Sequence, residues 1–243
     1  MKTKAREGGF TLVEIAIVLV IIGLLLGGIL KGQELITSAR VRNLADQASA
    51  VQAAYYGFVD RYRAIPGDML RSQVCGAIGT VSGWTGCPNN GPGGDGDSNI
   101  ENFQEAAAVW AHLTGARFLQ GSYTGTATTE PTYTATPNEQ APRNPWGGFL
   151  LLAKTDDYLD SVAAPASRLH LITGANIPVN VMRELDLKID DTSPVSGVLR
   201  SARPNGAAFG AVGQEGTPSC VNGTPAIWNI DSGSVTCNGY YLF

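Results

Sequence analysis

Several residue types on which enzyme chemistry depends are scarce in this 243-residue chain. It has four cysteines and only two histidines, His112 and His170. It contains no Gly-x-Ser-x-Gly elbow, no phosphate-binding loop with a lysine and no HExxH segment. The two histidines fall on a predicted helix and in an apolar predicted strand, which favours satisfied core or surface roles. We predict that the chain is not an enzyme and has no catalytic residues. The alternative, a membrane-tethered hydrolase, would be supported if substitution of Asp190 or Asp191 abolished a measurable turnover while leaving the fold intact.

Positive charge is also scarce after the first nine residues. Without Lys2, Lys4, Arg6 and Glu7, the 17 basic and 21 acidic residues fall to 14 and 20, a net charge of −6. A nucleic-acid partner requires a basic surface that releases counterions on binding. We therefore predict no nucleic-acid partner.

Proline does not occur before Pro66, so no proline interrupts a long N-terminal helix. Within residues 10–30 only Thr11 and Glu14 are clearly polar. At about 1.5 Å per residue this stretch reaches roughly 31 Å, the thickness of a hydrocarbon core. Because the basic residues precede it, the positive-inside rule predicts that residues 1–9 stay in the cytoplasm while the C-terminal body crosses the membrane.

Glu14 separates this segment from two other kinds of apolar helix. The apolar stretch of a secretory signal peptide has about 7 to 15 residues, and residues 37–39 make a poor, distant cleavage site. A plain membrane anchor does not require an acidic residue. Burying a carboxylate costs on the order of 3 kcal/mol near the bilayer centre and less toward a helix end, so such a residue needs a partner. We expect no partner in this helix, because Lys31 lies far along it. Cleavage after Gly9, however, would create a positive amine at Phe10, one turn from Glu14.

Residues 9–14, with the sequence GFTLVE, follow a short Lys/Arg leader and open an unbroken apolar helix. This arrangement resembles the processing site of type IV prepilins and type II secretion pseudopilins. The resemblance implies that a prepilin peptidase cuts between Gly9 and Phe10 and that Phe10 is then N-methylated. It also implies that Glu14 pairs with the Phe10 amine of a neighbouring subunit, which sets the axial register of the filament. Many pilins carry a helix-bending proline, which is absent here.

The resemblance implies a structural subunit, a major or minor pilin, of a type IV pilus-like filament. Its partners would be other pilin subunits, the prepilin peptidase and an inner-membrane assembly platform. The chain would cross the inner membrane once, with its C-terminal domain extracytoplasmic, and then enter a pilus or a periplasmic pseudopilus. A type II secretion pseudopilin is the alternative within the family, although the domain after Glu34 exceeds the usual size of a major pseudopilin. A membrane-anchored extracytoplasmic binding protein is the alternative from another class.

We predict three regions: a leader of residues 1–9 that is removed, a transmembrane and filament-core helix of residues 10–33, and a soluble domain of residues 34–243. In the last region the helix continues with apolar residues at alternating steps of three and four, up to a stop at residues 65–68. This stripe consists of Val41, Leu44, Ala48, Val51, Tyr55, Phe58 and Tyr62. The predicted fold class is α+β, with the long helix packed on an antiparallel sheet and extra short helices, as in pilins.

The remaining elements follow from turn and periodicity signals. A Gly- and Asn-rich segment at 68–99 precedes a second helix, which we start at Ser98 because residues 98–101 form a capping box, and end at Gly115. Residues 121–145, rich in Thr and Pro, are predicted to be an exposed loop. A third short helix is predicted at 178–189, and strands at 149–153, 168–173, 198–202, 207–212, 226–230 and 234–242.

The four cysteines form two local pairs, although four cysteines allow three connectivities. We predict bonds between Cys75 and Cys87 and between Cys220 and Cys237, because each closes a short loop and contributes about 3 kcal/mol of loop entropy. Such bonds imply an oxidising compartment. Metal-bound thiols are disfavoured because the sequence has no CxxC pair or Cys/His cluster.

One loop has the spacing of a calcium site. Asp95, Asp97, Asn99 and Glu101 place oxygen atoms at every second residue, as a calcium loop does. It is not an EF-hand, because Ile100 stands where the glycine at the sixth position is required. Calcium sites occur in the related major pseudopilins, but in a loop near the C-terminus that does not match these residues. We weigh calcium, the only candidate cofactor, against an ordinary Asx turn before a capped helix.

Overall fold

The computed structural model describes residues 11–79, 81, 83–84, 86–87, 89–136, 140–162, 165–204, 206 and 208–243. The chain divides into two compact units, Met1–Arg40 and Val41–Phe243. The helices of the described residues are α1 Leu12–Tyr62, α2 Arg71–Ala77, α3 Phe103–Gly115, α4 Glu130–Tyr133, α5 Val179–Ile189 and α6 Gly210–Gly213. The strands are β1 Leu151–Thr155, β2 Arg168–Ile172, β3 Leu199–Ser201, β4 Val221–Asn222, β5 Ile227–Trp228 and β6 Gly239–Leu242, with a 3₁₀ helix at Ile230–Ser232.

In the first unit, α1 presents apolar side chains on all of its faces between residues 15 and 30. Gly23, Gly27, Gly28 and Gly32 lie within the helix without breaking it. A methyl group added at any of these glycines would meet no atom within 4 Å. By length and composition the helix is able to cross a membrane. A helix without a polar face is typical of a segment surrounded by lipid or by other protein.

In the second unit, α1 becomes amphipathic as predicted. Its buried residues are Val41, Leu44, Ala48, Val51, Ala54, Tyr55 and Phe58. The helix ends at Tyr62, and Arg63 adopts a left-handed backbone conformation with φ of 53° before Pro66. Six of the seven residues of the stripe read from the sequence are therefore buried, Tyr62 is partly buried, and the buried face also includes Ala54.

The main sheet has four antiparallel strands in the order β1-β2-β6-β3. On β2, His170 pairs with Ala153 of β1 on one side and with Leu242 of β6 on the other. Strands β4 and β5 form a separate two-stranded ribbon. The helix α1 packs on the main sheet, where the rings of Tyr55 and Phe243 meet edge to face with centroids 5.9 Å apart. The predicted α+β architecture is confirmed.

The predicted start of the second helix at Ser98 is wrong. The helix α3 begins at Phe103, and the side chain of Asn102 caps it by accepting the N–H of Glu105 at 3.0 Å. Ser98 instead has a φ of 72° and donates its N–H to Asp68 at 2.7 Å. The predicted capping box does not form because the carboxylate of Asp68, far away in sequence, accepts the backbone N–H groups of Gly96 and Ser98. The predicted end at Gly115 is confirmed.

The prediction of an exposed loop at residues 121–145 is wrong in part. This region contains α4, and the side chain of Tyr133 is completely buried, as are Ala127 and Ala141. The Thr- and Pro-rich composition predicted a loop because these residues are common in loops. A single buried tyrosine is nevertheless enough to anchor the segment to the core.

Two further elements differ from the predictions. Residues 207–212 were predicted as a strand, but Gly210–Gly213 forms α6, and residue 207 lies outside the described residues. Within the Gly- and Asn-rich segment 68–99, where no helix was predicted before Ser98, Arg71–Ala77 forms α2. The strands at 168–173 and 198–202 and the third helix at 178–189 are confirmed within one or two residues at each end. The other strands are confirmed only over shorter or shifted ranges, namely β1, β5 and β6.

Candidate functional site

The candidate assembly segment is the beginning of α1. Gly9 and Phe10, the predicted cleavage and methylation residues, lie outside the described residues. The carboxylate of Glu14 accepts the backbone N–H of Thr11 at 2.8 Å and its hydroxyl at 2.8 Å. In return, Glu14 donates its N–H to the hydroxyl oxygen of Thr11 at 3.2 Å. These reciprocal bonds satisfy N–H groups that the first helical turn leaves without intrahelical partners.

The expectation that Glu14 has no partner in its own chain is corrected by these bonds. The sequence carried the signal, since Thr11 and Glu14 stand at the spacing of a capping box. Thr11 supplies hydrogen bonds but no positive charge. Lys31 is engaged elsewhere, in an ion pair with Glu34 at 2.7 Å. Within the described part of the chain, no lysine or arginine forms an ion pair with Glu14.

The apolar surface of residues 12–30 is not covered by any other part of the chain that the structure describes. The large apolar residues of the segment are between 45% and 86% exposed, from Ile22 at the low end to Leu12 at the high end. They are Leu12, Val13, Ile15, Ile17, Val18, Leu19, Val20, Ile21, Ile22, Leu24, Leu25, Leu26, Ile29 and Leu30. An uncovered apolar surface of this extent marks a membrane or protein interaction segment.

Both disulfides have the predicted local pairing. Cys75 is bonded to Cys87 and Cys220 to Cys237, with Cα atoms 5.8 Å apart in each pair. Cys220 and Cys237 are completely buried. Cys237 also forms a β-bridge with Ile177, so the second disulfide joins the segment before β4 to the segment that leads into β6.

The structure does not bring the four predicted calcium ligands together as a set. Asp95 and Asp97 come within 4.8 Å of each other, and the third carboxylate of that group is Asp68. The amide oxygen of Asn99 accepts a hydrogen bond from Lys154 at 2.5 Å, and Glu101 donates its backbone N–H to the side chain of Glu105 at 2.9 Å. Sequence spacing could not identify Asp68, because it comes from the turn after α1. Calcium at residues 95–101 stays a prediction.

A second acidic cluster was not predicted as a site. Asp186, Asp190 and Asp191 each place a carboxylate oxygen within 4.8 Å of the others. The available signal was the group of three acids at the end of the predicted helix 178–189, with Asp186 four residues before Asp190 and five before Asp191. Asp186 is completely buried, and its Oδ2 accepts the indole N–H of Trp228 at 2.7 Å.

The histidines occupy core positions. His112 accepts the N–H of Gly67 at 2.9 Å through Nδ1 and donates to the carbonyl of Pro92 at 2.7 Å through Nε2, so its core role is confirmed. His170 is also buried, but its ring nitrogens have no hydrogen-bond partner among the described residues, which corrects the expectation of a satisfied side chain. Burial lowers the pKa of both histidines to about 4.

Residues 4–30 match the family model of the prokaryotic N-terminal methylation motif. This motif is the prepilin-type cleavage and methylation signal of type IV pilins and pseudopilins. No curated protein and no solved structure matches the chain. The motif implies a structural, pilin-type role, with processing by a prepilin peptidase and assembly with other pilin subunits. Among the described residues, one helix is long and apolar enough to cross a membrane, which together with the motif indicates single-pass anchoring.

Proposed function

We propose that this chain is a major or minor pilin, a structural subunit of a type IV pilus-like filament. A prepilin peptidase cuts between Gly9 and Phe10, and Phe10 is N-methylated. An inner-membrane assembly platform then polymerises the subunit through residues 10–33, and residues 34–243 face outward. The observation that carries the proposal is the helix after Glu14, which is apolar on all faces and directly overlaps the matched motif.

The same apolar surface serves the membrane and the filament in turn. Lipid covers it before assembly, and the helices of neighbouring subunits cover it afterwards. Gly23, Gly27, Gly28 and Gly32 support close packing, because small residues let helix backbones approach each other in apolar surroundings. A type II secretion pseudopilin is the alternative, since the matched motif is common to both. The size of the outward domain, beyond that of a usual major pseudopilin, favours the pilus subunit.

Glu14 supplies the register in this proposal. Thr11 satisfies part of its hydrogen-bonding capacity within the subunit, but a buried negative charge still requires a positive one. Cleavage creates that charge at Phe10, and the amine of a neighbouring subunit neutralises Glu14 when the helices pack. A subunit displaced along the filament axis would leave the carboxylate unpaired in an apolar core.

The test compares Glu14→Ala with Thr11→Ala, using Glu34→Ala as a matched control on the exposed surface of the same helix. We expect Glu14→Ala to insert into the membrane normally but to reduce the sheared filament fraction at least about tenfold. The reason is that the Phe10 amine of the neighbouring subunit would lack a counter-charge in apolar surroundings, which costs more than about 1.4 kcal/mol. Thr11→Ala removes only the local hydrogen bonds and should lower the yield far less. Glu34→Ala should assemble as the wild type does.

Normal filaments with Glu14→Ala would refute the assembly role. Equal defects for Glu14→Ala and Thr11→Ala would show that Glu14 only caps its own helix. Electron microscopy of surface filaments, with mass spectrometry of their subunits, separates a pilus from a periplasmic pseudopilus.

A further inference from the structure

Three aspartates meet at the end of α5, far in sequence from the assembly segment. Asp186 lies in the final turns of α5, and Asp190 and Asp191 follow the helix directly. Each offers one carboxylate oxygen, and the three oxygens lie within 4.8 Å of one another. Because calcium binds oxygen atoms at about 2.3–2.6 Å, oxygens up to about 5 Å apart can contact one ion.

The buried member of this cluster has an oxygen without a partner. Asp186 is completely buried, and Trp228 occupies only its Oδ2. Its Oδ1 forms no hydrogen bond with any of the described residues. Removing a carboxylate oxygen from water without replacing its hydrogen bonds is unfavourable, so a ligand at Oδ1 would be stabilising.

Positive charge compensates this cluster only in part. Within the part of the chain that the structure describes, none of the three carboxylates forms an ion pair with a lysine or arginine. Asp191 accepts the hydroxyl of Ser196 and the N–H of Ser193, and these bonds, with a smaller contribution from the charge of Arg200, lower its pKa. Arg200 itself forms an ion pair with Asp160. The end of α5 adds to the repulsion, because the C-terminus of a helix disfavours negative charge. Burial, together with the charges of Asp191 and Asp190, raises the pKa of Asp186 to about 7.

In the other acidic group, formed by Asp68, Asp95 and Asp97, the buried carboxylate has partners for both of its oxygens. Its buried member, Asp68, accepts the N–H of Gly96 at 2.8 Å on Oδ1 and the N–H of Ser98 at 2.7 Å on Oδ2. Both oxygens of Asp68 therefore have partners inside the protein. At the end of α5, by contrast, the buried Asp186 has an oxygen, Oδ1, without a partner among the described residues, so an external ligand would be more stabilising there.

We propose that Asp186, Asp190 and Asp191 bind a hard divalent cation, with calcium as the favoured ion. The three groups that meet here are all carboxylates, the ligands of calcium and magnesium, whereas structural zinc sites use cysteine and histidine. Calcium is favoured over magnesium because it tolerates irregular ligand sets, whereas magnesium requires near-ideal octahedral geometry.

The bound ion would connect three segments of the outward domain. Asp186 links it to β5 through the hydrogen bond from Trp228. Asp190 links it to the start of β3, because its Oδ2 accepts the N–H groups of Val198 and Leu199. The inference rests on the proposed function only for the extracytoplasmic location, where sites with dissociation constants of about 10⁻⁴–10⁻³ M are typical.

Terbium luminescence of the full-length protein in detergent tests the site, since terbium replaces calcium at oxygen ligands and is excited through a nearby indole. We expect sensitised emission that CaCl₂ reverses, and a calcium-dependent rise in melting temperature. Asp186→Asn should weaken calcium binding at least about tenfold, since affinity follows the charge of the ligands. Asp191→Asn, on the exposed side, should do the same without disturbing the core. Trp228→Phe should abolish the sensitised emission but retain the thermal response to calcium.

Asp97→Asn is the comparison variant, because it changes the other acidic group and should leave the Trp228-sensitised emission and its reversal by CaCl₂ unchanged, whether or not that group also binds calcium. The proposal is overturned if calcium changes neither emission nor melting temperature, if Asp191→Asn binds calcium like the wild type, or if Asp97→Asn alone removes the response. It is also overturned if the melting temperature follows pH alone, since a proton on Asp186 would then replace the ion. Glu14→Ala should bind calcium normally, so failure here and failure of the filament proposal are distinguishable.

Discussion

Trp110 donates its indole N–H to the hydroxyl oxygen of Tyr133 over 2.9 Å, and both side chains are completely buried. The tyrosine hydroxyl in turn donates to the carbonyl of Leu150 at 2.7 Å. One hydroxyl group therefore connects α3, α4 and the residue before β1. Because none of these groups reaches water, each depends on the others for its hydrogen bond.

Tyr133→Phe should destabilise the domain by about 2–3 kcal/mol, because it leaves the indole N–H of Trp110 and the carbonyl of Leu150 without partners in the core. Urea unfolding followed by circular dichroism measures the change. Tyr56→Phe is the control, since Tyr56 is 52% exposed and should change stability by less than about 0.5 kcal/mol. Equal stabilities for the two variants would contradict the connecting role of the hydroxyl.

His170 should make the domain sensitive to acid. Burial lowers its pKa from 6.5 to about 4, so the unfolded chain takes up a proton that the folded protein resists. The stability contribution is present above pH 6.5 and is lost as pH falls toward 4; between pH 7 and pH 5 the loss is about 2 kcal/mol.

His170→Phe should reduce that loss by the same amount, and it sacrifices no hydrogen bond from the ring nitrogens to the described residues. His112 stays in both proteins and contributes equally to both pH profiles. Unfolding free energies measured at pH 7 and pH 5 check the difference. Parallel profiles for the wild type and the variant would show that folding does not lower the pKa of His170.

The two disulfides should contribute unequally to stability. Their sequence separations are 12 and 17 residues, so their loop-entropy contributions are both close to about 3 kcal/mol. Cys220 and Cys237 are completely buried, whereas Cys87 is only partly buried. Replacing Cys220 and Cys237 together by alanine should therefore lower the melting temperature more than replacing Cys75 and Cys87. The reverse order would show that packing around the second disulfide adds nothing.

Gly9→Leu should trap the full-length precursor, because the resemblance to prepilins places the cut directly after Gly9. Mass spectrometry of the membrane fraction distinguishes a chain that starts at Met1 from one that starts at N-methylated Phe10. Thr11→Ala is the control, since it keeps Gly9 and Phe10 and should be processed. A mature start at Phe10 in the Gly9→Leu protein would refute the requirement.

The loop at residues 95–101 and the capping box show how a residue distant in sequence changes a local arrangement. Residues 95–101 have the alternation of a metal loop, but Asp68 enters their turn and bonds to the backbone of Gly96 and Ser98. That contact displaces the helix start from Ser98 to Phe103. A residue 28 positions away in sequence from Gly96 thus decided both the cluster and the boundary.

The sequence by itself determined three local features of this protein: the apolar segment with its single acid, the buried stripe of α1 and the local pairing of the cysteines. Each of these follows from a pattern within a few helical turns or one short loop. Only the tertiary structure decided that Asp186 accepts a hydrogen bond from Trp228, 42 residues later. It also decided that Tyr133, within a Thr-rich segment, is buried in the core and hydrogen-bonded to Trp110. The physical reason is that periodicity reports which face of an element is apolar, whereas the partner of a buried polar group is chosen by packing between distant elements.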